Sequence, residues 1–257
     1  MTDGNSDISD ISGMQGRRVV ITGGGTGVGA DLARGFAVAG AQVTIAGRRL
    51  EPLADVAASA PGIQAITADV TDEVSITSLF EQAGDADIVI ANAGVADTAP
   101  FAKLSLAQWQ ASIDTNLTGV FLTLREGLRR LDGWGRLIVI ASTAGLKGYP
   151  YVTHYTAAKH GAVGLVRALA REVARKPITV NAICPGFLDT EMTDRSVATI
   201  TAKTDMDAET ARATLAANNP QGRLIATVEV TQTALWLCGP GSAGINGQAI
   251  AIAGGEV

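Results

Sequence analysis

Short, continuously apolar segments alternate with helix-like segments along most of the chain. The apolar segments show no two-residue alternation, which is typical of strands that are covered on both faces of a parallel sheet. Alternation of strands and helices predicts right-handed βαβ units. The predicted strands are residues 18–22, 42–46, 63–68, 87–91, 136–141, 178–182 and 248–252. We therefore predict an α/β fold, a single doubly wound domain with a seven-stranded parallel sheet flanked by helices.

The helical segments and the remaining chain fit one domain. Helices are predicted at residues 27–39, 50–59, 72–82 (with Thr71 as N-cap), 106–131, 153–174 and 227–237. Residues 1–16 are mostly polar and predict a disordered tail, which leaves residues 17–257 as the domain. Residues 190–223 lack a clean core pattern, and we expect them to form a mobile helix pair that closes over a substrate.

Composition excludes several classes of function. The net charge of -5 and the absence of a Lys and Arg cluster argue against nucleic-acid binding. No apolar run approaches the roughly 20 residues that span a bilayer, and the N-terminus lacks the basic region of a signal peptide. The two cysteines and two histidines have no metal-type spacing. We expect a cytoplasmic protein with no metal site and no membrane partner.

A glycine-rich turn, Thr22 to Gly29, joins the first strand to the first helix. Its spacing differs from G-x-G-x-x-G, but glycines still let the backbone turn sharply and approach a pyrophosphate, while the helix N-terminus supplies free N–H donors. The predicted cofactor residues of this turn are Gly23, Thr26, Gly27, Val28 and Gly29. A purely structural turn is the alternative.

The residues after the second strand bear on the choice between NAD and NADP. An acid there would bind the ribose 2′-hydroxyl of NAD, whereas this chain has Arg48 and Arg49. A guanidinium can bind a 2′-phosphate in bidentate fashion. NADP(H) is therefore favoured and NAD(H) remains possible. The alternative is a solvated charge pair at the start of a helix.

Several ordered motifs, spread from Arg18 to Gly255, resemble the short-chain dehydrogenase/reductase family in its single-domain branch. Besides the glycine turn they are Asp69-Val70, Asn92-Ala93-Gly94, Asn116, Ser142, the Y-x-x-x-K pair Tyr155 and Lys159, and Pro185-Gly186 with Thr190. The resemblance implies a Rossmann fold that binds a nicotinamide dinucleotide. Ala91 departs from the family, which usually has another Asn there, and the stretch from Asp72 to Asp87 is shorter than usual.

The resemblance also implies roles for these residues. Asp69 and Val70 would contact the adenine, and Thr190 would touch the nicotinamide carboxamide. Asn116 would anchor a water that relays protons to Lys159. Family members commonly form homotetramers through the helix that starts at residue 153 and the long helix before it, so a homo-oligomer is expected.

The four catalytic candidates are Asn116, Ser142, Tyr155 and Lys159. Tyr155 and Lys159 are four residues apart and share one helix face. A nearby ammonium and a positive nicotinamide would lower the phenol pKa from its usual value of about 10. Tyr155 would protonate a developing alkoxide while Ser142 donates a hydrogen bond to the same oxygen. Alternatively, Ser142 caps a turn, Asn116 bonds a backbone carbonyl and Tyr155 is a half-buried aromatic.

These residues predict an NAD(P)(H)-dependent oxidoreductase that moves a hydride between nicotinamide and a carbonyl or alcohol carbon of a small molecule. Similarity to 3-oxoacyl and polyketide ketoreductases favours NADPH-dependent reduction of a ketone such as a 3-oxoacyl thioester. An NAD-dependent secondary-alcohol dehydrogenase is the main alternative. A non-catalytic dinucleotide-binding regulator and a structural oligomer are further alternatives, which the Ser142, Tyr155 and Lys159 set disfavours.

Overall fold

The computed structural model describes residues 13–257, which contain one seven-stranded sheet in the order β3-β2-β1-β4-β5-β6-β7. All neighbouring strands run parallel. The strands are β1 (Arg18–Thr22), β2 (Gln42–Gly47), β3 (Ile63–Thr67), β4 (Ile88–Ala91), β5 (Gly135–Ile140), β6 (Ile178–Pro185) and β7 (Ala249–Ile252). The predicted α/β fold with a seven-stranded parallel sheet is confirmed.

Helices connect the strands and cover the sheet. They are α1 (Gly27–Val38), α2 (Leu50–Ser59), α3 (Glu73–Ala83), α4 (Leu106–Ile113), α5 (Gly119–Arg130), α6 (Thr153–Glu172), α7 (Glu191–Lys203), α8 (Ala208–Ala216) and α9 (Thr227–Cys238). None of the helices in the described part of the chain is long and apolar enough to cross a membrane.

The strands are apolar on both faces because each face supports its own core. In β4, Val89 belongs to a cluster that also contains Leu124 of α5, whereas Ile88 and Ile90 belong to a second cluster with Phe36 of α1. Successive strand side chains point to opposite faces, so a strand between two helix layers has no polar face. This explains why the sequence shows continuous apolar runs.

The strand order places a crevice between β1 and β4. From β1 the chain proceeds outward to β2 and β3, then returns to place β4 on the other side of β1. Ligands of doubly wound sheets bind at this switch point, beyond the carboxyl ends of the strands. The glycine turn follows β1 and the Asn92 turn follows β4, so both predicted cofactor segments lie at this crevice.

The third helix begins differently from the prediction. Asp72, not Thr71, is its N-cap, and the Asp72 carboxylate accepts a hydrogen bond from the Val74 amide at 2.9 Å. The Thr71 hydroxyl donates instead to the Asp69 carboxylate at 2.8 Å. The Thr71 N-cap prediction is therefore wrong, because Thr71 closes the turn that follows β3.

The long helix predicted over residues 106–131 is interrupted by a π-helical turn, Asp114–Thr118, between α4 and α5. Asn116 lies in this turn, and its Nδ2 donates to the Ser112 carbonyl oxygen at 3.0 Å. A side chain that bonds the carbonyl four residues earlier competes with the backbone ladder, and π turns are frequent at functional sites. The helix is thus interrupted at the position of a predicted catalytic residue.

The folded part of the chain begins before the end of the N-terminal tail that we predicted over residues 1–16. Met14 is fully buried with the α1 side of the core, and the Gly16 amide donates to the Gly40 carbonyl at 2.9 Å. Packed chain therefore begins before residue 17. Residues 1–12 of the predicted tail lie outside the described part.

The segment predicted to cover the substrate contains the helix pair α7 and α8. Arg212 of α8 forms ion pairs with Asp194 of α7 and with Asp189, which directly precedes Thr190. These contacts hold the two helices to the end of the loop after β6. Closure over a substrate remains a prediction.

Candidate active site

Asn92 joins the turn after β4 to the glycine turn after β1. Its Nδ2 donates to the carbonyl oxygens of Thr22 and Gly23, each at 3.0 Å. Gly23 has φ +69°, and a Cβ there would lie 2.8 Å from the Ala93 Cα. The two turns therefore approach so closely that position 23 requires glycine. The structure brings the two predicted cofactor segments together.

The start of α1 fits a pyrophosphate. A Cβ at Gly29 would overlap with the Gly23 carbonyl, so the first turn of α1 lies directly on the glycine turn. Thr26 is the N-cap, and its side chain makes no capping hydrogen bond within the described chain. The first N–H groups of α1 are thus free of a side-chain cap, as an anion site at a helix N-terminus requires.

Thr190 lies opposite this turn. A Cβ at Gly27, which has φ +52°, would lie 3.6 Å from the Thr190 Cγ2. Thr190 follows the loop after β6 and directly precedes α7. The structure therefore places the threonine predicted to touch the nicotinamide beside the predicted phosphate turn, although β4 and β5 lie between β1 and β6 in the sheet.

Arg48 and Arg49 follow β2 and are both exposed. Asp69 lies at the same edge of the sheet after β3. The Thr71 amide lowers the pKa of the Asp69 carboxyl most, with a smaller contribution from the positive charge of Arg48. Val70 is buried and packs against α5, where a Cβ at Gly119 would lie 2.8 Å from the Val70 Cγ2. The residues predicted to bind the adenosine therefore lie together, beyond the carboxyl ends of β2 and β3.

Ser142 lies two residues after the end of β5, at the carboxyl ends of the strands. Its Oγ accepts a hydrogen bond from the Ala144 amide at 3.1 Å and caps the short 3₁₀ helix Thr143–Gly145. The turn-cap role considered for Ser142 is therefore real. It does not compete with the catalytic role, because the hydroxyl keeps its proton to donate after the oxygen has accepted.

Tyr155 and Lys159 lie on one face of α6, as their spacing predicts. The Lys159 Nζ donates to the Ile140 carbonyl at 2.9 Å and lies 5.5 Å from the centre of the Tyr155 ring. Burial lowers the pKa of the Lys159 ammonium to about 8. Burial also raises the pKa of the Tyr155 phenol, while a hydrogen bond with Ser142 partly lowers it. The structure thus brings Ser142, Tyr155 and Lys159 together.

The expected lowering of the Tyr155 pKa by Lys159 is absent among the described residues. Burial is the largest influence, and Ser142 is the group that opposes it. The Lys159 ammonium is instead directed to the backbone of β5. Among the protein's own groups, Tyr155 is therefore held in its protonated form.

Asn116 bridges to the loop after β4. Its Oδ1 accepts from the Val95 amide at 3.1 Å, and its Nδ2 donates to the Val95 carbonyl at 2.9 Å. A Cβ at Gly94 would lie 3.0 Å from the Asn116 Oδ1 and 3.7 Å from the Lys159 Nζ. Asn116 and Lys159 therefore lie close to the same glycine, and the backbone-bonding role is the one that the contacts describe.

Sequence reasoning missed Asn219, which fixes the loop after β6. The Gly186 amide of this loop donates to the Ile252 carbonyl at 3.0 Å. The fully buried Asn219 amide accepts from the Phe187 amide at 3.1 Å and donates to the Phe187 carbonyl at 2.9 Å and to the Arg223 carbonyl at 2.7 Å. Nothing in the local sequence separates Asn219 from its exposed neighbour Asn218, because the contacts are made across the fold.

Replacing Asn219 by leucine should destabilise the protein by about 3 kcal/mol, since the similar-sized side chain leaves the Phe187 amide and the Arg223 carbonyl unpaired, whereas the Phe187 carbonyl keeps its bond from the Ile225 amide. Urea denaturation measures this loss. Asn218→Leu is the matched control, because Asn218 is exposed and bonds only within α8 and the turn that follows. Equal losses in the two variants would contradict the role assigned to Asn219.

Other groups do not suggest a metal or a reactive thiol. Among residues 13–257, no group of three or more His, Cys, Asp or Glu side chains could hold a metal ion. Cys184 and Cys238 are both buried and unpaired. Burial raises the pKa of the Cys184 thiol to about 11 and that of Cys238 to about 12, so both stay protonated at neutral pH.

Comparison with known proteins gives the family. A family model described as short chain dehydrogenase matches residues 17–201. This chain belongs to that family. It is 31% identical over 253 residues to the 3-oxoacyl-(acyl-carrier-protein) reductase of Aquifex aeolicus, covering 94% of this chain and 98% of the relative. It is 36% identical over 250 residues to the cis-4-hydroxycyclohexanecarboxylate dehydrogenase of Sinomonas cyclohexanicum, covering 93% and 96%.

The solved structures agree with this family. A variant of actinorhodin polyketide ketoreductase, crystallised with NADPH, superposes with a TM-score of 0.86 at 32% identity, covering 93% of this chain and 97% of that one. The resemblance stated from the sequence is confirmed, and so is the general activity of an NAD(P)-dependent oxidoreductase acting on carbonyl or alcohol groups. The roles of individual site residues stay predictions.

Proposed function

We propose that the protein reduces a ketone with NADPH, using Ser142, Tyr155 and Lys159. The observation that carries this proposal is the meeting of these three side chains at the carboxyl edge of β5, beside the crevice between β1 and β4. Ketoreductases among the relatives support the same direction of reaction. When bound, NADPH supplies the hydride.

The protein groups have separate tasks. The Ser142 hydroxyl donates a hydrogen bond to the carbonyl oxygen of the substrate, and the Tyr155 phenol gives the proton that converts this oxygen to a hydroxyl. Burial raises the pKa of Tyr155, so the proton is present when reduction requires it. The Lys159 ammonium is available to the ribose of the cofactor and to the phenolate that remains. Asn116 holds the loop after β4 and is the proposed anchor of a relay water.

Arg48 favours NADPH over NADH. It is exposed, it directly follows β2, and no carboxylate occupies the position that would bind a ribose 2′-hydroxyl. Its guanidinium is free to take a bidentate phosphate contact. Arg49, the N-cap residue of α2, lies next to it.

Replacing Arg48 by alanine should weaken NADPH binding about tenfold to a hundredfold and leave NADH binding nearly unchanged, because only the 2′-phosphate contact is lost. Fluorescence titration of both variants with NADPH and NADH measures this. Arg175→Ala is the control. Arg175 is exposed and comes just before β6, so it lies at the amino-terminal ends of the strands, away from Arg48.

Equal or tighter binding of NADH by the wild-type protein would refute the NADPH assignment. The alternative would then be an NAD-dependent secondary-alcohol dehydrogenase, which the dehydrogenases among the relatives support. Absence of binding of either dinucleotide would refute the oxidoreductase proposal itself.

Substrate, assembly and location complete the proposal. Among ketones, 3-oxoacyl thioesters are the first to test, because of the Aquifex relative.

A homotetramer through α5 and α6 is supported by the exposed Phe121 of α5 and by Gly164 of α6, around which a Cβ would meet open space. A cytoplasmic location is supported by the two unpaired cysteines.

A further inference from the structure

A carboxylate near the end of the chain is buried beside the catalytic loop. The Glu256 Oε1 lies 2.9 Å from the Lys147 Nζ, and only 4% of the Glu256 side chain is exposed. Lys147 belongs to the loop of residues 143–152 that connects Ser142 to α6. The ion pair therefore ties the residues after β7 to the loop that follows the catalytic serine.

Tyr149 lies within the same cluster. Its hydroxyl is 2.6 Å from the Thr143 Oγ1, and Thr143 is the residue after Ser142. Its ring makes an edge contact with Phe187, with ring centres 6.1 Å apart, and the Lys147 Nζ lies 5.0 Å from its centre. Tyr149 thus packs between the loop after β5 and the loop after β6, which both border the reaction site.

Glu256 acts on Tyr149. Burial raises the pKa of the Tyr149 phenol most, and the Glu256 carboxylate, whose partner Lys147 lies over the Tyr149 ring, raises it further. Tyr149 therefore stays neutral and keeps its proton.

The hydrogen-bond directions in the cluster follow from the acceptor-only nature of a carboxylate. The Glu256 Oε2 is buried and lacks a hydrogen-bond partner among the described residues, so a nearby O–H group that turns toward it would satisfy it. The Tyr149 phenol is such a group, because the Glu256 carboxylate raises its pKa. When the phenol proton points toward Glu256, the Thr143 hydroxyl must donate to the Tyr149 oxygen.

We propose that Glu256 is a positioning residue for substrate specificity: it orients Tyr149 against Thr143 and Phe187 and so fixes the wall of the substrate site next to Ser142. This inference rests on the proposed ketone reduction. A ketone bound at Ser142 would place its substituent against this aromatic wall, so displacement of Tyr149 changes the binding of the ketone and leaves the hydride and proton donors in place.

A double-mutant cycle tests this proposal, with KM and kcat measured for NADPH-dependent reduction of a neutral 3-oxo ester. Glu256→Gln and Tyr149→Phe should each raise KM about fivefold with little change in kcat, and the double variant should be no worse than either single variant. Non-additivity is expected because Glu256 acts only through Tyr149. The Kd of NADPH, measured by fluorescence, should remain at the wild-type value.

Val257→Ala is the control for the chain terminus, since Val257 is exposed and next to Glu256. Additive effects on KM, or an unchanged KM in Glu256→Gln with a lower unfolding midpoint, would overturn the positioning role and leave only a structural ion pair. If the wild-type protein oxidised secondary alcohols and reduced no ketone, the proposed function would fail. The same cycle, read on the KM of the alcohol, would still decide the role of Glu256.

Discussion

Tyr155→Phe should lower kcat for ketone reduction by about a thousandfold, the usual contribution of a positioned general acid. The ring remains in its half-buried position on α6, and only the hydroxyl that gives the proton is lost. The Kd of NADPH and the unfolding midpoint should therefore change little. Steady-state kinetics and fluorescence titration on the same preparation separate the loss of chemistry from a loss of binding.

Tyr151→Phe is the matched control for this substitution. Tyr151 is only four residues away but is 61% exposed. It contacts the loop after β4 through its backbone, because its carbonyl accepts from the Ala99 amide at 2.9 Å. Removal of its hydroxyl should leave kcat near the wild-type value. A kcat for Tyr155→Phe within tenfold of wild type would show that another group supplies the proton.

The sequence was sufficient for those features that local patterns encode. Apolar runs predicted every strand of the described sheet to within a few residues, because burial on both faces favours apolar side chains. The Ser142, Tyr155 and Lys159 set was also predictable, since a strand end and two positions one helical turn apart define it. The three side chains meet because the chain passes from β5 through one loop into α6.

The features that the sequence did not reveal depend on contacts between distant segments. Glu256 meets Lys147 across more than a hundred residues, and Asn219 meets Phe187 from the far side of α7 and α8. The π-helical turn at Asn116 is equally invisible, because the apolar period continues through it and only the Val95 and Ser112 contacts explain it. Neither the composition nor the spacing of residues in the sequence indicates such partners.

Lys159→Met should abolish most of the activity and yet make the protein more stable. Burial lowers the pKa of Lys159 from 10.5 to about 8, so the charged form is disfavoured in the folded protein. This shift corresponds to a cost of about 3 kcal/mol at neutral pH. Methionine fills a similar volume without a charge, but it leaves the Ile140 carbonyl without its donor. The net gain in the free energy of unfolding should be about 2 kcal/mol.

The gain should depend on pH in a defined direction. Between the folded pKa of about 8 and the unfolded value of 10.5, the unfolded wild-type chain binds more protons than the folded one, so wild-type stability rises with pH in this window. The advantage of Lys159→Met is therefore complete below about pH 8 and disappears as the pH approaches 10.5. Urea denaturation at about pH 7 and about pH 10 measures it, with exposed Lys103→Met as the control. A Lys159→Met protein that is less stable than wild type at neutral pH would mean that the hydrogen bond to Ile140 outweighs the cost of burying the ammonium.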